Sequence, residues 1–90
     1  MKTDITGLVA LVTGANRGLG AEFVRQLLDR GIAKVYAAVR RPDSLHSDDG
    51  RIVPLELDVT DEDSIRRAAA VAGDVTLLVN NAGIDRNQSL

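Results

Sequence analysis

The glycine-rich segment of residues 13–20, Thr-Gly-Ala-Asn-Arg-Gly-Leu-Gly, restricts the fold of this chain more than any other feature. It comes directly after the apolar run of residues 8–12 and directly before a helical pattern of apolar residues. Gly14 lets the backbone turn sharply off a strand, Gly18 lets it approach a bound group, and Gly20 lets the helix lie close to the sheet. Because the N–H groups that open a helix attract anions, the segment predicts a phosphate site between a strand and a helix.

The spacing of these glycines narrows the kind of phosphate ligand. It reads G-x-x-x-G-x-G, which differs from the G-x-G-x-x-G of most dinucleotide folds and lacks the Gly-Lys-Ser/Thr of a phosphate-loop triphosphatase. A triphosphatase is therefore disfavoured. The alternative to a phosphate site is an ordinary glycine-rich turn.

The rest of the chain alternates apolar runs with helical patterns, which predicts an open parallel sheet. The four predicted strands are residues 8–12, Lys34–Val39, Ile52–Glu56 and residues 75–79. The first helix carries its apolar residues at Leu19, Phe23, Val24, Leu27 and Leu28 and stops at Gly31. The second begins near residues 60–63, carries Ile65, Ala68, Ala69 and Ala72, and ends at Gly73. We expect one α/β domain over residues 1–90, a partial doubly wound sheet in the order 3-2-1-4.

Residues after the predicted strands supply further candidates for binding. The second strand runs into Arg40, without the acid that grips the ribose in NAD sites, and Arg17 lies in the glycine-rich segment, so NADP(H) is favoured over NAD(H). The alternative is that Arg40 and Arg41 are two solvated arginines at a strand end. Asp58 follows the third strand, where it could accept a hydrogen bond from adenine or simply form a turn before Thr60.

Three segments together resemble the short-chain dehydrogenase/reductase family, in its compact single-domain branch. They are T-G-x-x-x-G-x-G at residues 13–20, L-D-V-T-D at residues 57–61 and N-N-A-G at residues 80–83. The resemblance implies an NAD(P)-binding Rossmann fold and an oxidoreductase that moves a hydride between the cofactor and an alcohol or carbonyl. It implies that the first segment holds the pyrophosphate, that Asp58 and Val59 meet the adenine, and that the third segment supports the sheet and lines the ribose. The expected cofactor-binding residues are Gly14, Asn16, Arg17, Gly18, Leu19, Gly20, Arg40, Asp58, Val59, Asn80, Ala82 and Gly83.

The catalytic groups of the family have no counterpart here, since neither its later serine nor its Tyr-x-x-x-Lys pair follows residue 84. Tyr36 lies in the second strand, and neither Lys2 nor Lys34 is suitably spaced to place an ammonium near its phenol, so a packing role is expected. We expect no catalytic residue in this chain, an N-terminal cofactor-binding part without activity of its own, and partial unfolding or self-association of the isolated 90 residues. The alternatives are a non-catalytic dinucleotide-binding module and a truncated remnant without a ligand.

Composition excludes other classes of function. With 11 Lys and Arg against 13 Asp and Glu, the chain has no basic field for nucleic acid or an anionic membrane. It has no cysteine, and His46 is its single histidine, so no metal site is expected. The three acids of residues 61–63 are explained by a helix N-terminus. The expected location is the cytoplasm, and the expected partner is a nicotinamide dinucleotide.

Overall fold

The computed structural model describes residues 4–81, which build one four-stranded parallel sheet with a helix on each face. The strands lie in the order β3-β2-β1-β4, so the predicted fold class and strand order are confirmed. In chain order the elements are β1 (Val9–Thr13), α1 (Gly18–Asp29), β2 (Lys34–Val39), a 3-10 helix (Pro42–Ser44), β3 (Ile52–Glu56), α2 (Glu62–Val71) and β4 (Leu77–Val79).

Both faces of the sheet are covered, as nearly continuous apolar strands require. Successive residues of β2 point to opposite faces. Val35 and Ala37 join Val24 of α1 in one buried cluster, whereas Tyr36 and Ala38 join Ala68 of α2 in the other. The sheet is therefore the middle layer of three, and its strand ends are where loops gather.

The buried stripe of α2 differs from the predicted one. Ala68 and Ala72 are buried as predicted, but Ile65 and Ala69 are exposed, and Ser64 occupies the third buried position. The spacing of Ser64, Ala68 and Ala72 is i, i+4 and i+8, which is itself a helical face. The prediction failed because it counted only apolar residues, while Ser64 is buried with its hydroxyl bonded to a backbone N–H.

In α1 the buried side chain is that of Val24, with Leu27 and Leu28 half-buried. Leu19 and Phe23, which belonged to the predicted apolar stripe, are exposed among residues 4–81. The helix ends as predicted: Gly31 has a φ of 83° and donates its N–H to the carbonyl of Leu28, and Ile32 donates to Leu27.

The two edges of the sheet differ in how they are protected. In β3, Arg51 and Leu57 bond to β2, so alternate residues face β2 and the nitrogen of Pro54 points away from it. Because proline has no N–H, the outer side of β3 lacks a donor at this position, which disfavours pairing with another strand. At the other edge, β4 pairs with β1 alone among the residues that the structure describes, and Leu78 is 64% exposed.

Neither helix of residues 4–81 is long and apolar enough to cross a membrane.

Candidate dinucleotide-binding site

The glycine-rich segment leaves β1 in a backbone conformation that suits glycine. Gly14 has a φ of 62° and Gly18 a φ of 59°, a left-handed region that residues with a Cβ rarely adopt. The N–H of Gly14 donates to the carbonyl of Ala38 at 2.9 Å, which anchors the start of the turn to β2. The segment is thus a fixed turn that leads directly into α1.

Within residues 4–81, the N-terminus of α1 has none of the usual protein partners. Its N-cap residue is Arg17, no side chain of these residues caps the first turn, and that turn holds no acid. The N-terminus of α2 is the opposite case, since Asp61 accepts from the N–H groups of Asp63 and Ser64, and Glu62 and Asp63 lie in its first turn. The N–H groups that open a helix carry the positive end of its dipole and attract anions. In α2 the helix's own carboxylates lie at this end, whereas in α1 the position is open to an external anion.

Gly20 brings α1 into direct contact with this turn. A Cβ built on Gly20 would lie 2.1 Å from the carbonyl oxygen of Gly14 and 2.8 Å from Nδ2 of Asn81. Both separations are far below van der Waals contact, and the nearer one is to backbone. Only glycine fits here, because any side chain would push the turn away from the helix.

Thr13 connects the ends of β1 and β4 at the same place. Its hydroxyl accepts the N–H of Asn81 at 2.6 Å and lies 3.2 Å from Oδ1 of Asn80. The structure therefore brings Asn80 and Asn81 beside the glycine turn, at the carboxyl ends of the strands. No separate role for Thr13 is predicted from the sequence. A hydroxyl residue directly after an apolar run was the available signal, and the structure buries it. The predicted residues Ala82 and Gly83 lie outside the described residues.

Three exposed arginines at this side of the sheet have no acidic partner. Arg17, Arg40 and Arg41 make no ion pair among residues 4–81. Elsewhere in the described part of the chain, four cations are paired with a carboxylate: Arg25, Lys34, Arg51 and Arg66. The carboxyl edge of the sheet thus carries guanidinium groups that form no ion pair within residues 4–81, and guanidinium is suited to binding phosphate.

Asp58 forms a turn with Thr60, which is one of the two roles predicted for it, the other being a hydrogen bond from adenine. Its Oδ1 accepts hydrogen bonds from Thr60, at 2.9 Å from the N–H and 2.6 Å from the hydroxyl. These bonds, first the one from the hydroxyl, lower the pKa of Asp58, and the charge of Arg40 lowers it further. The carboxylate therefore stays ionised and acts only as an acceptor. Val59, the next residue, is exposed.

A cleft of about 420 Å³ lies beside the turn, between α1 and the loop after β2. Asn16 of the predicted site lines it, together with Ser44 and His46 of the loop and the apolar side chains of Val24 and Ile52. Leu19 is on the exposed side of α1. Of the predicted residues that the structure describes, Asn16 faces a cleft beside the turn and Leu19 faces solvent.

Tyr36 corrects one prediction from the sequence. An ammonium does lie near its phenol, since Lys34 Nζ donates to the phenol oxygen at 3.0 Å, and the phenol donates to Oδ1 of Asp74 at 2.8 Å. Residues i and i+2 of a strand share a face, a spacing that the comparison with a helical Tyr-x-x-x-Lys did not consider. Lys34 begins β2, however, so this cluster lies at the end of the sheet opposite the glycine turn.

The position of this cluster predicts the effect of Tyr36→Phe. The phenol is 5% exposed and links Lys34 to Asp74, so its loss should lower the free energy of unfolding by about 1 kcal/mol. Affinity for a nucleotide at the carboxyl edge should not change. Thermal unfolding and a cofactor titration of the variant check both expectations, and lost binding in a variant that still folds would contradict this placement.

No group of histidine, cysteine or acidic side chains within residues 4–81 is arranged to hold a metal ion.

A parallel sheet in this order, with a glycine turn and an open helix N-terminus at its carboxyl edge, defines the class of Rossmann-type dinucleotide-binding domains. Comparison with known proteins gives the family. The sequence profile of the short chain dehydrogenases matches residues 8–90, and the chain belongs to that family.

Individual relatives agree with this assignment. A short chain dehydrogenase from Burkholderia cenocepacia, solved in complex with NADP, is 51% identical, with a TM-score of 0.87 over 96% of this chain and 36% of its own. An NADPH-bound carbonyl reductase from chicken fatty liver is 37% identical, with a TM-score of 0.78 over 96% of this chain and 40% of its own. Carbonyl reductase (NADPH) 2 of Sus scrofa is 39% identical over 93% of this chain and 35% of its length. The chain thus spans about a third of the length of these relatives and corresponds to the N-terminal region of the family.

Proposed function

We propose that this chain is the cofactor-binding part of an oxidoreductase that transfers a hydride between NADP(H) and an alcohol or carbonyl compound. The observation that carries the proposal is the N-terminus of α1, which has no side-chain cap and no acid in its first turn. Gly20 holds this helix so close to the turn at Gly14 that no side chain fits between them. The oxygens of a pyrophosphate bound there would accept hydrogen bonds from the N–H groups that open α1.

The residues around this edge fit a dinucleotide. The turn and the start of α1 would hold the pyrophosphate, Asp58 and Val59 the adenine, and Asn80 the ribose side, with Ala82 and Gly83 following it in the chain. The pyrophosphate-binding residues are Gly14, Asn16, Gly18, Leu19 and Gly20. When bound, the cofactor supplies the hydride, and the role of this chain is to bind and orient it.

The preference for NADP(H) over NAD(H) rests on charge. Arg17 and Arg40 are exposed and have no acidic partner in the described part of the chain. An additional phosphate on the ribose would gain two guanidinium partners, which NADH lacks. The relatives solved in complex with NADP and with NADPH support the same choice.

We assign no substrate to this chain, which spans about a third of the length of its relatives. We assign no catalytic residue here, because Tyr36 lies at the opposite end of the sheet, and we expect the 90 residues alone to transfer no hydride. A cytoplasmic location stays a prediction.

Titration of the purified chain with NADPH and with NADH tests the proposal. We expect saturable binding of both, seen as a change in nicotinamide fluorescence or as heat, with NADPH the tighter ligand. Carbonyl compounds added to the complex should not be reduced. A non-catalytic dinucleotide-binding module would give the same result. A folded chain that binds neither cofactor would contradict the proposal.

We also propose that isolated chains associate through β4. Leu78 is 64% exposed, and the outer side of β4 has no strand beside it within residues 4–81. Such an edge pairs readily with another chain. Sedimentation velocity should show species larger than a monomer, and Leu78→Lys, which places a charge at the edge, should return the chain to a monomer. A monomeric unmodified chain would contradict this.

A further inference from the structure

We propose that Thr60 and Ser64 are positioning residues that hold Asp58 ready to select a 6-aminopurine, an inference that rests on the proposed function. Thr60 fixes the carboxylate of Asp58, and Ser64 fixes its backbone. Neither residue is among the predicted cofactor contacts.

The backbone of Asp58 is tied to the first turn of α2. Its N–H donates to Oγ of Ser64 at 2.8 Å, and Ser64 is only 3% exposed. Its carbonyl accepts the N–H of Asp61 at 3.0 Å. Asp61 in turn caps α2 by accepting the N–H of Ser64 at 3.4 Å. This closed ring of bonds sets where the segment after β3 stands relative to the carboxyl edge of the sheet.

Thr60 fixes the side chain of Asp58 through only one of its two carboxylate oxygens. Oδ1 receives both bonds from Thr60, one from the N–H and one from the hydroxyl. Oδ2 has no hydrogen-bond donor among residues 4–81. A carboxylate held by one oxygen cannot rotate freely, so the other oxygen is preorganised as an acceptor. Arg40 contributes favourable charge to the same group.

An ionised carboxylate oxygen recognises a donor and repels an acceptor. The exocyclic amino group of adenine is a donor, whereas the carbonyl at the same position of a 6-oxopurine is an acceptor. The exposed apolar side chain of Val59, next in sequence, offers a surface for the flat ring. Asp58 so held would therefore favour an adenine nucleotide, and Thr60 would determine how strongly.

Binding of two ligands to three forms of the chain tests this inference. The ligands are NADPH and its analogue with unsubstituted purine in place of adenine, and the proteins are the unmodified chain, Thr60→Val and Thr60→Ser. Thr60→Val keeps the shape and the backbone N–H but loses the hydroxyl, and Thr60→Ser keeps the hydroxyl. Thr60 is exposed, so these variants should fold, which thermal unfolding verifies.

We expect the unmodified chain and Thr60→Ser to bind NADPH about tenfold more tightly than the purine analogue, as a hydrogen bond to a charged group should give. In Thr60→Val this ratio should fall to about threefold or less, while the affinity for the analogue stays the same. Ser64→Ala should lower the ratio in the same direction.

Other outcomes would overturn the inference. A loss in Thr60→Val that is equal for both ligands would show a purely structural role, and equal binding of both ligands to the unmodified chain would show that Asp58 does not recognise the amino group. If a folded unmodified chain binds neither ligand, the proposed function itself is wrong. This outcome differs from those that overturn only the role of Thr60 and Asp58.

Discussion

Gly20→Ala is expected to lower the free energy of unfolding by about 3 kcal/mol and to abolish measurable NADPH binding. The added Cβ would lie 2.1 Å from the carbonyl oxygen of Gly14, which is backbone and cannot rotate away as a flexible side chain would. Either α1 or the turn must move, and the same Cβ would also lie 2.8 Å from Nδ2 of Asn81. For a domain of this size the melting temperature should fall by about 10 °C or more. Circular dichroism and a cofactor titration measure the two effects.

Gly73→Ala is the matched control, because a Cβ at Gly73 would have no atom within 4 Å. Its melting temperature should stay close to that of the unmodified chain. Gly18→Ala lies between the two, since its Cβ would be in open space while its φ of 59° disfavours alanine by about 1 kcal/mol. A melting temperature for Gly20→Ala that matches Gly73→Ala would contradict the close contact of helix and turn.

Arg40→Asp is expected to weaken NADPH binding by about 100-fold and NADH binding by less than about threefold. The change removes a guanidinium that has no acidic partner within residues 4–81 and places a carboxylate where a ribose phosphate would lie. It also adds a like charge near Asp58, whose pKa Arg40 lowers. Dissociation constants of both cofactors, measured at one ionic strength, give the comparison.

Arg67→Asp makes the same change of charge on the exposed surface of α2 and should leave both affinities unchanged. With this control, an equal loss of NADPH and NADH binding in Arg40→Asp would show that Arg40 does not contact the phosphate.

The fold was predictable because its signals are local. Nearly continuous apolar runs indicated buried parallel strands, and the topology of a doubly wound sheet then gave the order of the four strands. The start of the fourth strand differs from the prediction for a local reason. The apolar run predicts the strand from residue 75, but β4 begins at Leu77. The N–H of Val75 donates to the carbonyl of Ala72 in a turn, whereas the N–H of Thr76 already donates to Val9 of β1.

The polar contacts of the site were less predictable. The burial of Ser64 could have been predicted, because Ser64 lies four residues before Ala68 on the same face of α2. Its hydrogen bond with the N–H of Asp58 could not, because that contact depends on how the segment after β3 packs against the helix. The contact of Thr13 with Asn81 spans 68 residues and follows from the pairing of β1 with β4. The contact of Lys34 with Tyr36 was missed for a simpler reason, because strand spacing was not applied.

The central claim is that the glycine turn and the start of α1 bind the phosphates of a nicotinamide dinucleotide. Nuclear magnetic resonance of the isotope-labelled chain, titrated with NADPH, tests it most directly, because each backbone amide reports its own surroundings. We predict saturable shifts of the amides of Gly14, Gly18 and Gly20, with no change around Lys34 and Asp74. A dispersed spectrum that NADPH leaves unchanged, or shifts confined to the opposite end of the sheet, would contradict the account.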